Sequence, residues 1–452
     1  MTMTRLALSG LRHRTGAFVA TFLSAALGAA ILMTFASMID TAGRPAVDPV
    51  SEESLATVAS VAGGWGLLIV VFAVASTMTL SVRQREHEVG VLRRAGATPG
   101  QVGRMIAGES LLIALVAAVV AVPIGLVLGR VLLRLLQDTG QVAPSVSYAF
   151  GPVALGMGFG VTVSGSVFGA LLAARRAAPA ASAPPYPRSR RLSPRPGRGR
   201  VVAAVVLLLA GLSCGVLTAT VMKGRGMDAM QTAGQAGIWS AVGLALLAPW
   251  LLRLVAAAVP VRLLFGAAGE LAATNTRRQA AQMSGAVMPV ILFVGITTAT
   301  VYMQAIDDRA AEGLIRQDYE KNVQTLNYVV VGMIALFVAI MLVNTLLAAT
   351  TYRRGEFARQ RLAGATPAQV VGMVAAESLL LTVTGVVFGT VASVATVLPF
   401  GMARVDDPLP SLSLPPYLLV VAVAVLLTFG AALGATRRAI AGRAVDAMRL
   451  CT

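Results

Sequence analysis

Residues 93–102 read RRAGATPGQV, and residues 361–370 read RLAGATPAQV. The second stretch lies 268 positions after the first (361 − 93). At that offset residues 88–112 and 356–380 agree at fifteen of twenty-five positions, many of them polar or turn-forming. Shared apolar composition cannot produce such a match, so the chain carries an internal repeat. Each copy spells a local structure. REHEVGVLRRAG (85–96) is rich in helix formers, with Val89, Leu92 and Ala95 recurring every third residue on one apolar stripe. Gly96 suits the left-handed position that ends a helix. Thr98 is a good N-cap, Pro99 fits the first helical position, and Gln101 completes a capping box. Gly364, Thr366, Pro367 and Gln369 repeat every element. The expectation is a helix, a sharp turn and a second helix, made twice.

The chain around these polar hairpins is apolar. Of its 452 residues 56% are hydrophobic and 13% charged, about half the charged share of a soluble domain. A bilayer core of about 30 Å needs roughly 20 apolar residues per helix. Ten segments qualify: about 16–38, 57–81, 110–135, 151–174, 201–221, 237–258, 286–305, 326–350, 378–400 and 415–436. The first is longer than the apolar region of a signal peptide and reads as an uncleaved helix. The net charge of +17 follows from topology. With both termini on the cytoplasmic side of a bacterial plasma membrane, 27 of the 37 Lys and Arg residues fall inside, and 13 of the 20 acids outside. This is the positive-inside pattern; it removes nucleic acid as the explanation of the charge and leaves the bilayer as the partner.

Residues 175–200 hold six prolines, eight arginines and no acid. Such a stretch cannot bury a core and reads as an extended linker near anionic headgroups. It divides the chain into a first four-helix repeat (1–174), the linker (175–200), a two-helix spacer (201–258) and a second four-helix repeat (259–452). The fold class is therefore all-α and polytopic, about ten transmembrane helices in a 4+2+4 arrangement. Both repeats start from the cytoplasmic side, so they run parallel.

Two readings of the polar hairpin stay open on the residues alone. One is an amphipathic helix held at the interface by anionic lipid. The other is a docking element for a soluble partner, presented twice to a partner with two-fold symmetry. Here the sequence resembles a family. REHEVGVLRRAGATPGQVGRMIAGESLL (85–112) looks like the cytoplasmic motif of FtsX-like (MacB-type, type VII) ABC transporter permeases. LALSGLRHRTGAF (6–18) and LAATNTRRQAAQMSGA (271–286) look like the family's lead-in to each repeat. The ten-helix count is similar to the two-repeat BceB-like branch. That branch has a large extracellular domain between helices seven and eight, where this chain has about twenty residues.

The resemblance implies a permease whose hairpin helices, 83–95 and 351–363, couple to a separate ABC ATPase, two copies of it, with ATP and Mg held on that partner and no cofactor here. It assigns this coupling to Arg85, Glu88, Leu92, Arg93, Gly96, Thr98, Pro99 and Glu109, and to Glu356, Arg361, Gly364, Thr366, Pro367 and Glu377. In RRGEFARQRLAG (353–364), Gln360 replaces Leu92, which weakens the apolar stripe of the second copy.

Other chemistry lacks its residues. A Walker A loop needs Lys between Gly and Ser/Thr; Lys223 (VMKGRG) and Lys321 (YEKNV) have neither flank. Ion coupling needs ionisable groups at mid-membrane, where Asn344 is the most notable polar residue. Two cysteines, Cys214 and Cys451, and two histidines, His13 and His87, offer no metal site or catalytic constellation. Four small-xxx-small pairs, Gly125/Gly129, Gly165/Gly169, Gly385/Gly389 and Gly430/Gly434, permit close helix packing. They fall in the third, fourth, ninth and tenth segments, the same two of each repeat, which predicts matched contacts. The functional expectation is export or extraction of an amphipathic, lipid-like or antimicrobial compound. The alternative is a non-transporting module that transmits force to a sensor kinase or a cell-wall enzyme.

Overall fold

A computed structural model describes residues 15–83, 91, 95–177, 198–310, 354–407 and 413–441, with isolated positions between 332 and 343. Among these residues there is no strand. The helices are α1 (Thr15–Ala42), α2 (Pro49–Arg83), α3 (Pro99–Asp138), α4 (Pro152–Ala177), α5 (Arg198–Thr220), α6 (Gly226–Ala258), α7 (Val261–Ala310), α8 (Arg354–Leu362), α9 (Pro367–Arg404) and α10 (Leu414–Ile440). Eight of them are long and apolar enough to cross a membrane, and they fall on eight of the ten expected segments. The 35-residue α2 covers a ninth; the segment 326–350 lies almost wholly outside the described residues. The protein is an all-α, multi-pass membrane protein. Its helices form two compact units, α1–α4 and α5–α10, so the expected spacer pair α5–α6 packs with the helices that follow it.

In the first unit, α1 lays a small-residue face on α3. Ala25, Ala26, Ala29 and Ala30 are buried with Ala117 and Ala121, closed by Phe22, Phe150 and Phe159. A Cβ on Gly125 would lie 2.9 Å from Met33 Cβ, and one on Gly129 would meet Ser37 and overlap the Tyr148 hydroxyl. In the second unit α9 seats on α7 in the same way. A Cβ on Gly385 would overlap Val290, and one on Gly389 would lie 2.7 Å from Val294 Cβ and 3.0 Å from the Ile291 carbonyl.

Both glycine pairs therefore join equivalent helices, but not at equivalent depth. At the 268 offset Gly385 and Gly389 match Ala117 and Ala121, two turns before Gly125 and Gly129. The matched contacts expected in the last helix of each repeat do not occur. Gly165 and Gly169 are buried in α4, whereas Gly430 and Gly434 on α10 are exposed, with open space where a Cβ would sit. A small-residue spacing permits close approach; which face of the helix meets a neighbour is decided by tertiary packing. Pro123 lies within α3 without ending it.

One end of the first unit is closed by a polar clasp. Asp40, at the end of α1, takes backbone N–H bonds from Gly151 (3.0 Å), Val153 (3.1 Å) and Ala154 (2.8 Å). A carboxylate from one helix thus caps the N-terminus of another, where the helix dipole favours negative charge. Gln137 holds the same loop by donating to Val146 O at 2.9 Å, Ser51 Oγ accepts from Ala143 N at 2.9 Å, and Arg130 lies over the Tyr148 ring. Asp48 caps α2 ahead of Pro49; bonds from the side chain and backbone of Ser51 hold its carboxyl below the usual carboxylate range. Removing the α4 cap with Asp40→Ala should cost about 1–2 kcal/mol, read as a lower thermal midpoint in detergent. Asp40→Asn, whose amide oxygen still accepts, should lose less.

Candidate functional site

The two capped turns form as their residues dictate. In the second, the Ala365 N–H reaches the Gln360 carbonyl at 3.0 Å and the Gly364 N–H reaches the Arg361 carbonyl at 3.1 Å. This pair of bonds closes α8 as a Schellman motif, with Gly364 at φ 99°. Thr366 then caps α9: its hydroxyl accepts from Gln369 N at 3.3 Å, while Gln369 Oε1 accepts from Thr366 N at 2.9 Å. The first turn repeats this. Gly96 has φ 94°, the Thr98 hydroxyl accepts from Gln101 N at 3.3 Å, and Gln101 Oε1 accepts from Thr98 N at 2.8 Å. Pro99 and Pro367 each begin the helix that follows. Left-handed backbone at a residue with a Cβ costs roughly 1–2 kcal/mol, so glycine is required at both turns although each has open space around it.

The helix before the turn is described only in the second copy; Arg85, Glu88, Leu92 and Arg93 lie outside the described residues, as does Asn344. Nine residues long, α8 is wedged into its unit. Phe357 and Ala358 are buried, and Phe357 packs with Ala272 of α7, Val370, Met373, Val374 and Ala376 of α9, and Ala432 of α10. The charged residues expected to couple to a partner face the same way. Glu356, half-buried, accepts from Gln279 of α7 at 3.4 Å. Arg361 donates to the Ile440 carbonyl at the end of α10, 2.9 Å away. Glu377 is 1% exposed and takes a 2.5 Å bond from Asn275 Nδ2. These three hold the seat of the hairpin and do not form its outer surface. Gln360, polar where the first copy has Leu92, lies on Met373 of α9. In the first copy Glu109 is half-buried on α3.

What the second hairpin exposes is its tip: Arg359, Leu362, Ala363, Gly364, Thr366, Pro367 and Gln369. Leu362 is 55% exposed, and Val91 of the first copy 48%. At the 268 offset Leu362 stands where the first copy has Arg94, and Arg359 where it has Val91. Each copy thus carries one aliphatic residue and one arginine three positions apart, in opposite order. Sequence reasoning missed Leu362 because the apolar stripe was counted from Val89 and Leu92, the positions that Phe357 and Gln360 occupy in the second copy.

The seat is a joint of three helices. α7 is a 50-residue helix broken at Gly266 (φ 55°, ψ −133°) and Gln279 (φ −107°, ψ 16°). Between the breaks, Asn275 holds α9, and Arg277 donates twice to the Ala256 carbonyl at the end of α6 (3.1 and 2.9 Å). From this joint α7 and α9 run side by side to Arg404, which meets Asp307 at 2.7 Å. α8 packs against the hairpin end of this pair. Among the described residues no group of His, Cys, Asp and Glu could hold a metal ion.

Two parts of the chain, residues 60–178 and 328–442, match the family described as FtsX-like permease C-terminal. Each matched segment contains one of the capped turns. No curated protein matches the chain.

Proposed function

The chain belongs to the FtsX-like permease family, and from that premise we propose that it is the membrane subunit of an ATP-driven ABC transporter. Members of this family are not themselves ATPases and generally work with ATPase partners. The observation that carries the reading is the hairpin: a tip with an exposed aliphatic and an arginine, backed by a seat that ties α8 to α7, α9 and α10. An ATPase subunit docks on each tip, two copies in all, with ATP and Mg on that partner. When the ATPases close, each hairpin is displaced, and in the second unit the displacement passes through the Glu356 and Glu377 contacts into α7 and α9. By the positive-inside distribution both tips and both termini face the cytoplasm of a bacterial cell.

The cargo is an amphipathic or lipid-like compound, taken from the membrane and exported or extracted. Supporting this is the length of the expected outer loops: the longest, about 39–56 and 306–325, run near twenty residues each, too short to build a capture domain with its own core. The test is ATP hydrolysis by the purified complex in lipid nanodiscs. Amphipathic peptides or lipid-like compounds should stimulate it. Stimulation by hydrophilic solutes alone contradicts the cargo class. Steady hydrolysis that answers only to an added sensor kinase or wall hydrolase supports the force-transmitting alternative instead.

A further inference from the structure

Twenty uncharged residues separate Glu109 from Arg130 on α3 (130 − 109 − 1). At 1.5 Å per residue they cover about 30 Å, the thickness of a bilayer core. With Glu109 at the cytoplasmic surface, Arg130 stands where the outer headgroups begin, and Arg134 lies one turn further out. Both arginines are exposed. They cap the exposed face of α3, along which Val116, Val120, Ile124, Val127 and Val131 are 49%, 41%, 37%, 58% and 46% exposed. Their i, i+4 spacing sets the two stems about 6 Å apart. Arg130 lies 5.8 Å from the centre of the Tyr148 ring, whose hydroxyl is seated against Gly129. Among the described residues neither arginine is in an ion pair. Asp138, one turn beyond Arg134, is exposed and makes no salt bridge with it. The Asp40 carboxylate, on the far side of Tyr148, is taken by the backbone N–H groups of Gly151, Val153 and Ala154. At the 268 offset the second repeat has Leu398 and Met402 in these places, and its outer arginine, Arg404, is paired with Asp307. The unpaired arginines are thus no requirement of the repeat; they belong to the first copy.

Arginine is scarce on the outer side of a membrane protein, and on a lipid-facing helix surface it is costly until its head finds a partner. A guanidinium presents planar N–H donors that match phosphate oxygens in pairs. Two such forks, one turn apart on one face, converge on a single headgroup. We propose that Arg130 and Arg134, the first held by the Tyr148 ring, bind the phosphate of an anionic phospholipid in the outer leaflet, with its acyl chains along Ile124, Val127 and Val131. The occupant is a lipid and not a protein because the charge sits at headgroup depth and the aliphatic face beneath it runs the thickness of the bilayer. An anionic lipid fits better than a zwitterionic one because the ammonium of the latter opposes two unpaired cations. The site depends neither on the ATPase coupling nor on the cargo proposed above. It would be a fixed lipid contact of the first unit alone, on the side of the membrane opposite its hairpin.

The experiment uses the full-length chain with the photoreactive residue p-benzoylphenylalanine in place of Val127, in nanodiscs of equal parts phosphatidylcholine and phosphatidylglycerol. After illumination, mass spectrometry identifies the lipid joined to the protein. The site predicts that phosphatidylglycerol is captured about fivefold or more over phosphatidylcholine. The same probe at Leu419 of α10, 66% exposed on a stretch without arginine, should capture the two nearly equally. Arg130→Gln with Arg134→Gln should bring the Val127 ratio down to that of Leu419, while Arg130→Lys with Arg134→Lys, which keeps the charge and loses the forks, should keep only part of the preference. Arg134→Gln alone disturbs no contact of Arg130 with Tyr148 and should lower the ratio in a chain that folds normally. Equal capture at Val127 in the unaltered chain overturns the proposal, as does a preference that survives the glutamine pair. A lysine pair as selective as the arginines would also overturn it, since diffuse charge would then account for the preference.

Discussion

Gly389→Leu should prevent the second unit from assembling, whereas Gly430→Leu should be silent. Both residues belong to small-xxx-small pairs in membrane helices, and sequence alone does not separate them. The difference is what they face. A Cβ on Gly389 already sits 2.7 Å from Val294 Cβ and 3.0 Å from the Ile291 carbonyl. Neither atom is the free end of a flexible side chain, so a leucine there must push α9 away from α7 along its length. Overpacking of this kind costs about 3 kcal/mol or more, a large part of the stability of an ordinary domain. Gly430 is exposed and a Cβ there meets open space. Replacing it by leucine adds apolar surface to a face turned toward lipid and removes a flexible residue from a helix, which is neutral or mildly stabilising. Membrane-inserted yield and the monodispersity of the detergent-extracted protein give the readout. Equal yields for the two variants would show that α7 and α9 do not pack as described.

The second large effect concerns docking. Leu362→Glu should reduce the affinity for the partner ATPase about thirtyfold, on the usual cost of about 2 kcal/mol for an apolar anchor removed from an interface centre. It should leave the permease folded, because Leu362 makes no part of the buried cluster around Phe357. Glu356→Lys has the converse expectation. Its carboxylate is engaged with Gln279 inside the unit, and a cation there loosens the seat by about 1–2 kcal/mol while the tip keeps its surface. ATPase capture by each detergent-solubilised variant, normalised to folded permease, discriminates the two. If Glu356→Lys loses capture and Leu362→Glu keeps it, the docking surface lies on the other side of α8.

The parts of this architecture written in short segments were legible in advance. The turn at Gly364 to Gln369 needs a left-handed glycine, a hydroxyl acceptor, a proline without its N–H and a reciprocal amide, all within six residues. Each need selects a residue type, and the identical set at Gly96 to Gln101 gave the same geometry. Spans were legible for a similar reason: length and hydropathy decide them. The facing of side chains was not. Glu377, assigned to coupling by resemblance, directly precedes an expected span, but its partner Asn275 is 102 positions away, and no local pattern reports such a pair. Arg361 likewise belongs to α10 through Ile440 O. The glycine spacing of α10 copied that of α9 without its neighbour, because periodicity states that one face is small and says nothing of what lies against it. The breaks of α7 at Gly266 and Gln279 lie ahead of its expected span, where no apolar period marks them.

The most direct test of the account is the mass of the assembled complex. The chain, co-expressed with its proposed ABC ATPase partner and extracted in detergent, can be weighed intact with ATP bound. Paired capped hairpins predict two ATPase copies for each permease chain, falling to one when Leu362 is replaced by glutamate. A complex that holds a single ATPase before any substitution, or none, would contradict the claim that the repeated turn exists to engage a two-fold motor.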